Sequence, residues 1–309
     1  MDRKFRPVLY ITLGVIILFA IVLYRPGRTT APTMPSNMQL PDAGVYASLV
    51  ERLSKDGYDD STLRQLYSPG NDVFYERVTK VHLKHRERSD PYEKMYNDRA
   101  IRSIREFRAQ HQEIFESVDE QYAVDPGVIS AILYVESRFG QSAGTHPVVY
   151  VFSSMALAGE DWNINALVDE MESELAHLSE NERGEKIAYL RRRAESKSSW
   201  AYDELKSLLD INRSHNVDIL DLRGSWAGAF GMPQFLPSSF RAYAVDGDGD
   251  GQIDITQPAD AINSVAHYLY RNGWRGRITE NKKRKAVWRY NHSWYYVDLI
   301  MKLSDAVES

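Results

Sequence analysis

The stretch Ala227–Asp260, AGAFGMPQFLPSSFRAYAVDGDGDGQIDITQPAD, joins a glycine-rich aromatic turn to an acidic Asp/Gly loop, and few folds need both. In its first part Gly228, Gly231, Pro233, Phe235 and Pro237 fall within ten residues. That composition suits backbone lying close to a ligand rather than a regular element. The second part reads as a calcium loop. Asp246, Asp248 and Asp250 hold positions 1, 3 and 5 of an EF-hand-like pattern, Gly251 makes the sharp turn at position 6, and Gln252 offers a carbonyl at position 7. Position 12 is Gln257, which cannot be a bidentate carboxylate. Asp260, three residues on, closes a longer loop just after Pro258 opens an apolar-periodic helix (Ile262, Val265, Ala266, Leu269). Asp/Gly repeats also make plain turns, so the pattern alone leaves both a cation site and a simple loop open.

Upstream, Val124–Gly140 reads VDPGVISAILYVESRFG and predicts one buried helix. Asp125 is a suitable N-cap, Pro126 suits the first helical position and Gly140 is a natural stop. Ile129, Ile132 and Leu133 recur at helical spacing, and Glu136 continues the same stripe. An acid is thereby aimed at the interior. A carboxyl in apolar surroundings has its charged form disfavoured and stays protonated near neutrality, as a general acid must. The other reading is structural: an ion pair with Arg138 or another base.

Composition bounds the classes of function. A chain of 309 residues is long enough for one large domain or two modest ones. A net charge of −5 gives no global support to a polyanion-binding role, and no nucleic-acid partner is expected. The absence of cysteine removes disulfides, thiol catalysis and a lipidated N-terminal cysteine together. Arg3, Lys4 and Arg6 precede an uncharged run of 17 residues, Val8–Tyr24, which ends at Arg25. As a helix it covers ~25 Å, enough to cross a thin hydrocarbon core. Tyr24, Arg25 and Pro26 make a poor cleavage site, which favours an uncleaved signal anchor over a removed signal peptide. Basic residues are denser before the run, so the bulk of the chain should face outward, in the cell envelope beyond the cytoplasm.

The resulting organisation is a cytoplasmic tail (1–7), a span (8–24), a Pro-rich tether (25–43) and a globular part (44–309). The early globular region is helical and highly charged, and His82 and His85 read there as a solvated face rather than a metal site. Residues from about 160 to 222 are rich in Glu, Arg and Lys, with apolar residues at helical intervals, and read as a helical insertion. The run Lys282, Lys283, Arg284 and Lys285 is either a solvated helix start or a contact for anionic wall polymer or lipid.

Four segments stand together in one order: VESRFG at Val135–Gly140, GSWAGAFGMPQFLPSS at Gly224–Ser239, the DGDGDG and PAD of Asp246–Asp260, and RYNHSWYYV at Arg289–Val297. With them the chain resembles the membrane-bound lytic transglycosylase B type of peptidoglycan lyase. The resemblance implies a mainly α fold, with a lysozyme-like catalytic domain, a helical N-terminal region and an EF-hand-like loop. It implies cleavage of the MurNAc–GlcNAc β-1,4 bond without water, leaving a 1,6-anhydro-MurNAc end, with Glu136 as the single acid and base. Carried over by the same motifs, Gln234 would bond substrate near the acid, and Tyr290, Asn291 and Tyr296 would flank the cleavage site. Phe230 and Phe235 are candidates for the groove wall. Asp246, Asp248, Asp250, Gln252 and Asp260 would hold a structural Ca2+. Gln234 also reads as a buried amide bracing its turn. Met232 stands where some relatives have an aromatic residue. The partners implied are peptidoglycan glycan strands and, through the N-terminal helix, a membrane. A hydrolytic muramidase using the same glutamate and a non-catalytic wall-binding scaffold are the alternatives.

Overall fold

The computed structural model describes residues 44–68, 73–81, 90–215 and 217–309. The tail, the apolar run at 8–24, the tether, and His82 and His85 lie outside these residues. Among the described residues no helix is long and apolar enough to cross a membrane.

The first described helices are Ala47–Lys55 (α1), Asp60–Leu66 (α2), Glu76–Val81 (α3), Asp90–Met95 (α4), Asp98–Gln110 (α5), Gln112–Tyr122 (α6) and Pro126–Ser137 (α7). After His146–Pro147 (β1) come Val148–Ala156 (α8), Asp161–Glu170 (α9), Glu172–Leu175 (α10) and Glu180–His215 (α11). Arg223–Gly224 (β2) pairs antiparallel with β1, His146 opposite Gly224. Pro237–Tyr243 (α12), Pro258–Arg271 (α13), Glu280–Tyr290 (α14) and Trp294–Glu308 (α15) complete the chain. Several starts are set by short polar caps: Asp59 accepts from Thr62 N–H, Asn97 from Ala100, Asp125 from Gly127 and Ser293 from Tyr296.

Two large apolar cores divide the molecule. In the first, α7 is the central rod: every residue from Gly127 to Ser137 is buried, enclosed by α5, α6, α13, α14 and α15. A helix apolar on nearly all sides has to be wrapped in this way, so the expected stripe became full enclosure. The second core gathers α1, α2, α8, the C-terminal half of α11 and the rings of Phe230, Phe235 and Phe240. Tyr268 and Tyr290 pack against both cores, and Met232 belongs to the first while Phe230 and Phe235 belong to the second. The glycine-rich turn therefore straddles the seam.

The segment from about 160 to 222 holds α9, α10 and α11 and packs in two places. Leu167, Met171, Leu175 and Leu190 form a small core of their own. Beyond it Ala201, Tyr202, Leu205, Leu208, Leu209 and Ile211 of α11 enter the second core. Two buried ionisable groups fasten this helix to the body. Lys197 donates to the carbonyls of Val78 and Thr79 at the end of α3, and Glu204 accepts from Ser238 N–H at 2.9 Å and from its hydroxyl at 2.7 Å.

Gly228 has φ +86°, and a Cβ built there would sit 2.4 Å from the buried Phe152 ring. Both the left-handed backbone and the ring exclude a side chain. Gly228→Ala should cost about 3 kcal/mol of stability, read as a lower urea midpoint at unchanged m-value.

Candidate active site

α7 ends by a sharp reversal. Arg138 and Phe139 take left-handed conformations (φ 52° and 58°) and Gly140 follows at 84°, so the helix stops three residues before the glycine expected to end it. Two non-glycine residues held in succession in this sparsely populated region are a local strain of the kind that collects at functional sites. Phe139 is held by stacking on Phe107, centroids 3.9 Å apart and planes 5° from parallel. Ser137 locks the reversal to the glycine-rich turn: its hydroxyl donates to the Met232 carbonyl at 2.7 Å and accepts from Gly140 N–H at 2.8 Å.

This end of α7 carries Glu136, which is fully buried. Arg138, the expected ion-pair candidate, is exposed instead. The partner of Glu136 comes from the far end of the sequence. Ser293 caps α15, accepting from Tyr296 N–H at 3.1 Å, and that first turn aims the Tyr296 phenol inward to donate to Glu136 Oε1 at 2.8 Å. Burial raises the Glu136 pKa to about 8, with the Tyr296 hydrogen bond pulling the opposite way. Burial, with the nearby Glu136 carboxyl adding to it, also pushes the Tyr296 and Tyr290 phenols up, so both remain neutral donors.

Tyr290 lies parallel to Tyr296, centroids 6.5 Å apart and planes 4° apart. Its hydroxyl donates to the Pro233 carbonyl at 2.6 Å, tying α14 to the glycine-rich turn. Asn291 follows it, 1% exposed. Among the described residues, the buried side-chain nitrogen and oxygen atoms without a hydrogen-bond partner are Glu136 Oε2 and the Nδ2 and Oδ1 of Asn291. Buried polar atoms are nearly always paired, so each unpaired one calls for an explanation.

The remaining expected residues fall differently. Gln234 is buried at φ 51°, and its Nε2 donates to Ala143 O at 3.0 Å and Gly231 O at 2.9 Å, bracing the turn. Phe230 and Phe235, candidates for the groove wall, are buried in the second core. They pair with each other through backbone bonds of 2.9 and 3.0 Å, and this tight hairpin turns both rings into the second core, each 2% exposed. Tyr268 was not singled out by any motif, yet it sits edge-on to Tyr290 at 4.8 Å and bonds Arg289 O at 2.6 Å. Tyr92, another such residue, reaches the neighbourhood of Tyr296 from α4. Neither has a local signal, since only packing brings these helices together.

In the acidic loop, ligand oxygens of Asp246, Asp248 and Asp260 lie within 4.8 Å of one another. Asp250 stands outside that group and accepts from Gln252 N–H at 2.7 Å. Asp260 is 3% exposed, and its two oxygens accept from Gly247 and Asp254 N–H, fastening the loop to α13. Three hard oxygen donors converging on one point suit a calcium ion.

The buried carboxylates among the described residues are Glu136, Glu204 and Asp260. Glu204 is engaged at the start of α12 and Asp260 within the acidic loop. Among the described residues Glu136 is thus the buried carboxylate that keeps an unpaired oxygen, in a helical protein with two apolar cores. The chain belongs to the family of the transglycosylase SLT domain, whose model matches residues 42–283. It is 34% identical over 168 residues to the membrane-bound lytic murein transglycosylase B of Escherichia coli (strain K12), a match covering 54% of this chain and 37% of that protein. The chain thus matches little more than a third of that relative's length. Its fold is similar to that of the E. coli lytic transglycosylase Slt35 in complex with calcium (TM-score 0.63, 20% identity, covering 90% of this chain and 98% of that one). It is also similar to Pseudomonas aeruginosa SltB3 in complex with NAG-anhNAM-pentapeptide (TM-score 0.64, 20% identity, covering 85% and 78%).

Proposed function

We propose that the protein is a peptidoglycan lytic transglycosylase, cutting the MurNAc–GlcNAc β-1,4 bond without water. The observation that carries this reading is the solitary, fully buried Glu136 with Tyr296 on one oxygen and nothing on the other. Ordinary glycosidases divide the work between two carboxylates. A single acid suffices when the substrate supplies the rest. Protonated Glu136 gives its proton to the leaving O4 of GlcNAc as the glycosidic bond breaks, while the 2-acetamido group of MurNAc stabilises the electron-poor C1. The resulting carboxylate then takes the proton of the sugar's own C6 hydroxyl, whose oxygen closes onto C1. Intramolecular attack has a high effective molarity, and exclusion of water protects it. Asn291, with both its polar atoms unpaired, is placed to hold the acetamido group, and Tyr290 and Gln234 to shape the turn against the sugar.

Mass spectrometry of muropeptides released from purified peptidoglycan tests the assignment. Products lighter by one water than hydrolytic ones are expected. Reducing ends would establish a muramidase instead, and no release from folded protein tested with calcium would point to a binding role or a missing partner.

Asp246, Asp248 and Asp260 would hold calcium with Asp250 and Gln252 at the rim, and the ion would serve to fasten the loop to α13. Calcium at a hundredfold excess over its Kd should raise the melting temperature by about 5 °C over protein in chelator. Asp260→Asn should remove that increment. The uncharged run at 8–24 and the membrane-bound nature of the E. coli relative support anchoring in the envelope with the domain outside the cytoplasm. Alkaline carbonate washing of membranes should leave the full chain in the pellet.

A further inference from the structure

Next to Tyr296 in the first turn of α15 stands a ring that faces solvent. Tyr295, its neighbour in the chain, is 48% exposed and stacks on Tyr92 of α4, centroids 6.2 Å apart and planes 25° apart. Tyr92 is buried, and close enough to Tyr296 to add to the rise of that phenol's pKa. Successive helical residues point ~100° apart, so the Ser293 cap that turns Tyr296 inward turns Tyr295 out. Scattered exposed apolar residues need no explanation. Among the described residues, however, the large exposed ones are Tyr96, Leu178, Tyr189, Trp294 and Tyr295, and two of these five occupy the first turn of the helix that holds the acid's partner. Trp294, 53% exposed, keeps different company: it stacks on Trp288 of α14 at 6.1 Å, with the Arg284 guanidinium 5.8 Å away. Tyr295 is the exposed ring that adjoins Tyr296 in the chain and stacks on the buried Tyr92.

We propose that Tyr295 is a sugar-stacking platform outside the cleaved pair, so that the enzyme favours glycan strands long enough to reach from Glu136 to this ring. The proposal rests on the glycan-cleaving function above. Its physical basis is the supported ring: Tyr92 beneath fixes its plane, leaving the other face for the apolar C–H face of a pyranose and the phenol at its rim for a sugar hydroxyl. Tyrosine has few rotamers to lose on binding, so such contact area costs little ordering.

The full chain in detergent, acting on peptide-free glycan strands sorted by length, provides the test. Tyr295→Ala should raise KM for an octasaccharide roughly tenfold, leaving kcat and the tetrasaccharide unchanged. Tyr295→Phe and Tyr295→Trp, which keep a ring, should come back to within about twofold. Trp294→Ala, similarly exposed but stacked on Trp288 and not on Tyr92, should match the parent. Overturning results are no effect of Tyr295→Ala, equal losses on both lengths, a fall in kcat, or the same KM effect from Trp294→Ala. Calorimetric titration of octasaccharide into Glu136→Gln, with and without Tyr295→Ala, separates the two readings. Affinity that depends on Tyr295 in an enzyme yielding no anhydro ends would keep the platform and discard the lyase. Anhydro ends with affinity independent of Tyr295 would do the reverse.

Discussion

Glu136→Gln should lower glycan cleavage by about a thousandfold or more while leaving the strand able to bind, because general acid–base catalysis by one residue contributes on the order of 10²–10⁴ and here both proton transfers pass through it. The substitution keeps an oxygen to accept from Tyr296 and changes little volume, so the loss belongs to proton transfer rather than to folding. Release of anhydro muropeptides, followed by mass spectrometry, reads it directly. A variant retaining a tenth of the parent rate would remove Glu136 from the acid's role.

The same residue ties stability to pH. In the unfolded chain a glutamate releases its proton near 4.5, whereas folded Glu136 holds it until about 8. Between those values the folded state binds more protons, so stability falls as pH rises through the window. The loss is on the order of 4 kcal/mol across the window. Glu136→Gln cannot titrate and lacks this term. The two proteins should unfold at similar denaturant concentrations at pH 5, and the variant should be the more stable at pH 8.5. For the active enzyme, kcat/KM should decline above about pH 8 as the acid ionises in free protein.

Tyr296→Phe is the second large effect. It removes the hydroxyl bonded to Glu136 Oε1 and leaves the carboxyl with no hydrogen-bond partner. A hydrogen bond to a charged group contributes ~1.5–3 kcal/mol, so kcat should fall roughly 10- to 100-fold. The direction of the pH shift is the stricter check. Tyr296 favours the carboxylate and lowers the Glu136 pKa against the effect of burial, so its removal should move the alkaline limb upward. A limb that moved downward would mean that Tyr296 does not stabilise the ionised acid.

α7 shows how much of this was legible beforehand. Asp125, Pro126 and the apolar run defined a buried helix with Glu136 facing inward because capping and periodicity act within a few residues. The stop near Gly140 was misplaced because Arg138 takes a left-handed conformation that its own chemistry does not favour; packing of Phe139 on Phe107 and the Ser137 bond to Met232 accompany it. Tyr296 and Asn291 came from resemblance to a motif, and no periodicity could have joined them to an acid some 160 residues away. The burial of Phe230 and Phe235 was not legible for a related reason. An aromatic residue in a glycine-rich turn looks the same in sequence whether its ring faces a ligand or a core, and here the hairpin pairing packs both rings in the second core.

Local chemistry alone was enough to specify a helical protein, an inward acid at the end of a buried helix, and an acidic Asp/Gly loop before α13. Those features follow from forces that act between near neighbours along the chain. Whether Glu136 would be ion-paired or kept neutral, whether the Asn291 amide would be left unpaired, and which rings would meet solvent depended on α7, α14 and α15 packing together. Desolvation and hydrogen-bond satisfaction are properties of the assembled interior, and a carboxyl's pKa follows from what surrounds it in space.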